Sequence, residues 1–165
     1  MITPTGTRIE WETAAAAAAE VRRPSGPPPN WLPVLERVPL FAELKPRQLK
    51  RVAAVARPKR FAAGATVVRM GDRGDAFHVI LEGSVLVVRS TGRRPVKLGT
   101  GDFFGEMALL DDAPRSADVI AAEDTLTMTI GRVGFTKLLR SEPTVTHAIL
   151  RTLAARLRAA QGSPV

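Results

Sequence analysis

Between Lys59 and Ile130 the chain is a succession of short apolar runs cut by glycine, and that punctuation leaves few folds open. Phe61, Thr66–Met70, Ala76–Leu81, Val85–Arg89, Val96–Leu98, Val119–Ala122 and Leu126–Ile130 are rich in Val, Ile and Phe, which suit a pleated, half-buried surface. Gly64, Gly71-Asp72, Gly74-Asp75 and Glu82-Gly83 separate the runs, and Thr91-Gly92 marks a hairpin tip with Arg93 and Arg94 beside it. Strands this short and this regularly spaced predict a β jelly roll or sandwich of about eight strands.

Helical periodicity flanks the strands. Trp31, Leu35, Val38 and Phe41 recur at helical or near-helical spacing until Pro39 interrupts them. Pro46 suits the first turn of a second helix, with Leu49, Val52, Ala53 and Ala56 on one face and Pro58 closing it. Beyond the strands, Val133–Arg140 reads as a short helix. A longer amphipathic one runs from about Pro143 to Ala160, with Val145, Ile149, Leu153 and Leu157 at i, i+4 spacing. The expected architecture is therefore mainly β, with N-terminal and C-terminal helices around the sandwich.

Residues 1–30 read as a tail: an alanine tract from Ala14 to Ala19 buries nothing, and Pro27-Pro28-Pro29 imposes extended backbone. The expected division is a tail over 1–30, one domain over 31–160 and a short tail over 161–165. With so little chain after the last helix, no helix-turn-helix is expected to follow.

The chain contains no cysteine, which excludes disulfide and thiol chemistry and suits a cytoplasmic protein. Neither a secretory signal nor a membrane span is legible. An excess of Ala and of Arg over Lys points to a high-GC bacterial source. The net charge of +8 is spread out, with +4 over residues 31–58, +5 over 59–100 and −3 over 101–140. A solvated arginine-rich surface accounts for that spread, and no nucleic-acid partner is expected.

The segment Gly101–Val119, GDFFGEMALLDDAPRSADV, carries the chemistry. A glycine-opened helical turn at Gly105-Glu106 precedes Arg115-Ser116, so one short loop–helix–loop offers free backbone N–H groups, a carboxylate, a guanidinium and a hydroxyl. A planar guanidinium is the preferred side-chain partner of phosphate. The carboxylate cannot serve that phosphate, so it calls for a hydroxyl-bearing part of the same ligand. A sugar phosphate or nucleotide, bound and not transformed, satisfies both.

With VPLF at its start, AGATVVRMGDRGDAFHVILEGSV in its middle and FGEMALL…PRSA after it, the chain from about Val38 to Leu157 resembles the cyclic nucleotide-binding domain family. That family includes catabolite activator proteins, kinase regulatory subunits and gated channels. The resemblance implies that Glu106 accepts the ribose 2′-hydroxyl and Arg115 neutralises the cyclic phosphate. Ser116 would stand beside the phosphate, and Gly105 and Ala108 would offer backbone N–H groups. Gly83 would be the strand-turn glycine that lets the ligand approach. Val96, Leu98 and Met107 are candidates for the base and sugar pocket, with ordinary core positions as the alternative. Arg151, Leu153, Arg156 and Leu157 on the last helix are candidate lid residues over the base. Asp118, where the family more often has an uncharged residue, and Gly131-Arg132-Val133-Gly134 depart from its pattern.

The expected function is a non-catalytic cyclic nucleotide sensor. Its ligand would be cAMP, with cGMP compatible, and it would act as a monomer on an effector protein that the sequence does not name. Binding is expected to shift a hinge around Phe135–Arg140 and reposition the last helix. Three alternatives stand beside it: a catabolite-activator-like transcription regulator lacking its DNA-binding domain, a cupin-like metalloenzyme, and a degenerate domain serving as an interaction module. The metalloenzyme needs clustered ligands, and His78 and His147 lie far apart in sequence, so no metal and no cofactor are expected. An isolated Arg115 would instead be expected to pair with Asp111 or Asp112.

Overall fold

A computed structural model describes residues 32–90 and 92–162; the tail expected over 1–30, Trp31, Thr91 and the last three residues lie outside them. The chain enters through a short helix α1 (Leu32–Leu35), a 3-10 turn (Pro39–Phe41) and α2 (Pro46–Val55). Eight strands follow: β1 (Ala56–Phe61), β2 (Thr66–Val68), β3 (Ala76–Glu82), β4 (Ser84–Val88), β5 (Val96–Gly99), β6 (Phe103–Phe104), β7 (Asp118–Ala121) and β8 (Thr125–Gly131). A one-turn helix α3 (Glu106–Leu110) interrupts them, and α4 (Arg132–Ser141) and α5 (Pro143–Gln161) end the described chain.

The strands form two antiparallel four-stranded sheets, in the orders β1-β8-β3-β6 and β2-β7-β4-β5. This is the expected sandwich with flanking helices. In β3 every residue from Ala76 to Leu81 is buried, because the first sheet is covered on both faces. Phe77, Val79 and Leu81 join Leu126, Met128 and Ile130 of β8 in a core shared with α2, α4 and α5. On the opposite face Ile80 and Phe104 meet Val68, Val85 and Val119 of the second sheet. Continuous burial explains why the run reads as unbroken apolar sequence.

The structure corrects two boundaries. The second helix ends at Val55, and Ala56 and Pro58, expected within it and at its close, belong to β1. Pro58 stands opposite Met128 in a strand at the edge of its sheet, where a missing N–H costs the ladder least. The other correction is β6, two residues that pair with His78 and Val79 inside what the sequence offers only as loop.

Candidate functional site

β6 sets the site because it delivers Gly105 directly beneath β3. Gly105 has φ of 88°, and a Cβ there would fall 2.8 Å from both the Ala76 carbonyl oxygen and Nη1 of Arg115. Only glycine combines that left-handed backbone with so close an approach. The chain then turns into α3, whose first residue, Glu106, and whose Ala108 and Leu109 are buried.

Arg115 is 5% exposed although it lies in a loop. Its backbone is tied to the β2–β3 turn by Arg115 N–H to Asp72 O at 2.8 Å and by Gly71 N–H to Arg115 O at 2.9 Å. Its guanidinium donates from Nη1 to Gly105 O and from Nη2 to Ala76 O, each at 2.7 Å. A longer 3.4 Å contact reaches Asp75, whose side chain is 85% exposed. Asp111 and Asp112, the acids that an isolated Arg115 would pair with, are not its partners; Asp112 is taken by Arg132. Arg132 also donates to Gly74 O and Ala108 O, so the start of α4 is fastened to the end of α3.

Glu106 is 3% exposed, and its Oε1 accepts a hydrogen bond from Nη1 of Arg156 at 3.2 Å. Its Oε2 is buried without a partner among the described residues. Burial pushes the carboxyl above the usual carboxylate range, and the Glu106 backbone hydrogen bond and the charges of Arg156 and Arg115 only partly oppose it. A buried oxygen with no donor costs free energy, so this one is poised for a hydroxyl.

These groups face one cavity of about 350 Å³. Gly105, Glu106, Met107, Ala108, Arg115 and Ser116 line it on one side, and Val96 and Leu98 of β5 on another. Val96 and Met107 are about half exposed, so they belong to the cavity wall and not to the core. Gly83 is absent from that wall. It turns β3 into β4 at φ of 87°, where a Cβ would fall 2.5 Å from Asp124 O, so the chain and not a ligand demands the glycine.

The four candidate lid residues separate. Arg156 lines the cavity, donates to Phe103 O at 2.6 Å and lies 4.7 Å over the Phe103 ring. Leu153 packs on the main core, Leu157 is 60% exposed, and Arg151 faces a second cavity beside Pro39 and Asp102. Phe135–Arg140, where a hinge is expected, lies within continuous helix with Phe135 and Leu138 buried, and the helical path breaks at Glu142. Asp118, the departure noted above, accepts a hydrogen bond from Met70 N–H at 2.7 Å and closes an irregular β2–β7 pairing.

Sequence reasoning missed Val68, Val87, Phe104 and Val119 on the cavity wall, and the hairpin arginines Arg89, Arg93 and Arg94. Period-two alternation along β4 was the signal for Val87. His78 is a satisfied core residue: it stacks on Phe104, hydrogen-bonds Thr129 and has its pKa lowered by burial to about 3. Among the described residues no three His, Cys, Asp or Glu side chains are gathered in a way that could hold a metal ion. None of their helices is long and apolar enough to cross a membrane.

Residues 58–142, just over half of the chain, match the family model described as the cyclic nucleotide-binding domain. The cAMP-dependent protein kinase regulatory subunit of Aspergillus niger is 41% identical over 106 residues, 64% of this chain and 26% of that protein. A cyclic nucleotide-gated potassium channel of Rhizobium etli is 39% identical over 77% of this chain and 35% of that one. The regulatory domain of Toxoplasma gondii protein kinase A, solved with cAMP, superposes with a TM-score of 0.67 at 30% identity, over 76% of this chain and 49% of that one. The chain thus spans about a quarter to a third of the length of these curated relatives.

Proposed function

The chain belongs to the cyclic nucleotide-binding domain family, and from that membership we propose that it is a non-catalytic cAMP sensor acting on an effector protein. The observation that carries this reading is the buried, partnerless Oε2 of Glu106 on the same cavity as the buried guanidinium of Arg115. One group asks for a hydroxyl and the other for an anion. A ribose 3′,5′-cyclic phosphate supplies both, and the regulatory domain solved with cAMP supports the choice of ligand. We place the binding unit over residues 31–160.

Arg156 suggests how occupancy reaches α5. Its guanidinium ties α5 to Glu106 and to Phe103 O. A ribose hydroxyl on Oε2 draws charge from the carboxylate whose Oε1 holds Arg156 and weakens that contact, so the ligand binds with different affinity to two positions of α5 and shifts their populations. The joint that would absorb the shift is Glu142, between α4 and α5.

Isothermal titration with cAMP and with cGMP tests the assignment. Saturable binding of cAMP is expected; absence of binding at high micromolar ligand overturns it. A second expectation concerns pH. Because burial raises its pKa, Glu106 takes up a proton at higher pH than an ordinary carboxyl. Affinity for cAMP should therefore weaken as pH falls, beginning at higher pH than it would with a carboxyl at its ordinary value of about 4.3. Glu106→Gln should flatten that profile and weaken binding at neutral pH by roughly 1.5–3 kcal/mol. Folding responds with the opposite sign. The folded state holds this proton more tightly than the unfolded one, so this group's contribution to stability declines as pH rises from the unfolded pKa through the folded one.

A further inference from the structure

β4 and β5 lead to the mouth of the cavity and bring arginines with them. Along β4 alternation continues Val87 into Arg89 on the cavity side, and along β5 it continues Leu98 and Val96 back to Arg94. The strands pair with Val87 opposite Val96. Arg89 lies two residues beyond Val87 and Arg94 two before Val96, so both stand where the paired strands give way to the hairpin tip. Both line the cavity, as does Arg93. None of the three has an ion pair or hydrogen bond among the described residues.

Like charges gathered at one hairpin tip repel each other unless something between them offsets the repulsion. Among the described residues no carboxylate pairs with them. The cavity wall carries the guanidiniums of Arg89, Arg93, Arg94, Arg115 and Arg156 against the single carboxylate of Glu106, which Arg156 already engages. A cyclic mononucleotide has one negative charge, and Arg115 is placed for it. The hairpin arginines need a partner of another kind.

The wall contributed by α5 narrows the choice. It consists of Arg156, Ala159 and Ala160; Pro143–Gln161 contains no Phe, Tyr or Trp, and its one imidazole, His147, is not on the cavity wall. A base in this cavity therefore has no aromatic ring from that helix to lie against. A guanidinium is planar and weakly hydrated, stacks on aromatic faces, and donates to the N7 acceptor that both purines carry; guanine adds O6 as a second acceptor beside it, where adenine presents its N6 donor. At about 350 Å³ the cavity is at the small end of ligand pockets, which suits one mononucleotide.

Resting on the cyclic nucleotide reading of this same cavity, we propose that Arg89 and Arg94 grip the purine base of the ligand, stacking on its face and donating to N7. The β4–β5 hairpin is then the element that recognises the base, and α5 closes the other side with small residues. Both purines satisfy the pair. Pyrimidines offer no N7 and a smaller ring face, so they are discriminated against.

The test uses the full chain and titrates cAMP, its 7-deaza analogue and cCMP into the wild type, Arg89→Ala/Arg94→Ala and Arg115→Ala. Both hairpin positions are exposed, so the double variant should fold, with a thermal melt as the check. The wild type is expected to bind cAMP at least about tenfold more tightly than the other two, and the double variant to lose about tenfold or more for cAMP and bind all three alike. Equal wild-type affinity for cAMP and cCMP overturns the proposal, as does unchanged cAMP affinity in the double variant. If cAMP binds and Arg115→Ala abolishes it while the hairpin variant is unaffected, only the hairpin assignment falls. If the wild type binds none of the three, the cyclic nucleotide reading falls and takes this one with it.

Discussion

Arg115→Ala is expected to weaken cAMP binding by about 30-fold to several thousand-fold, the equivalent of roughly 2–5 kcal/mol for truncating one partner of a buried charge pair. Two effects combine in it. The phosphate loses its guanidinium, and the carbonyls of Gly105 and Ala76 lose their donors. An unpaired buried carbonyl costs about 1–3 kcal/mol, so the variant should also melt at lower temperature without ligand. The contact to Asp75 adds little, because that acid is 85% exposed. Arg115→Lys separates the two effects: it keeps the charge, but a single ammonium cannot fork to two carbonyls and still meet an anion. Calorimetric titration and ligand-free melts of both variants should rank wild type above lysine above alanine in affinity. An alanine variant that binds cAMP within about threefold of wild type would remove Arg115 from the site.

The parts of this protein that local chemistry dictates were legible in its sequence, and the parts that distant contacts dictate were not. Alternating Val and Ile with glycine breaks exposed the strands, and Gly105, Glu106 and Arg115 stood out because glycine, acid and arginine are scarce inside apolar runs. Phe103–Phe104 escaped because two residues carry no period; only pairing with His78 and Val79 makes them a strand. Pro58 reads as a helix stop until its strand proves to lie at a sheet edge. Gly83 resembles a ligand-contact glycine, yet what its missing Cβ makes room for is Asp124 and Thr125, some forty residues onward. The stripe along α5 equally fits lid and core. Which of its side chains meets Glu106 depends on how α5 crosses β6, and Arg156 alone among the four candidates reaches the carboxylate.

Glu142 supplies the largest expected effect on stability, and its sign depends on which partner is removed. Its side chain is 1% exposed, with Oε2 accepting from Gln48 Nε2 at 2.7 Å and Oε1 from Arg51 Nη1 at 3.0 Å. Both donors come from α2, so Gln48 and Arg51 are committed to an internal contact. Gln48→Leu/Arg51→Leu strands a buried carboxylate and should cost about 3–5 kcal/mol in denaturant unfolding. Glu142→Leu should cost less, since Arg51 is 58% exposed and water takes over its charge. Adding Glu142→Leu to the double variant should restore most of the loss, because replacing a whole buried polar cluster with apolar side chains is close to neutral. The same residue joins the last two helices: its N–H donates to Leu138 O, and its carbonyl accepts from Val145 and Thr146. Releasing α2 from it should therefore raise amide exchange in α5 more than in β3 or β8, because α5 then pivots on an unsupported joint. Recovery of stability in the triple variant, with α5 exchange still raised, would place the energetic cost in the carboxylate and the mechanical restraint in α2. Failure to recover would instead assign the cost to lost packing at Gln48 and Arg51.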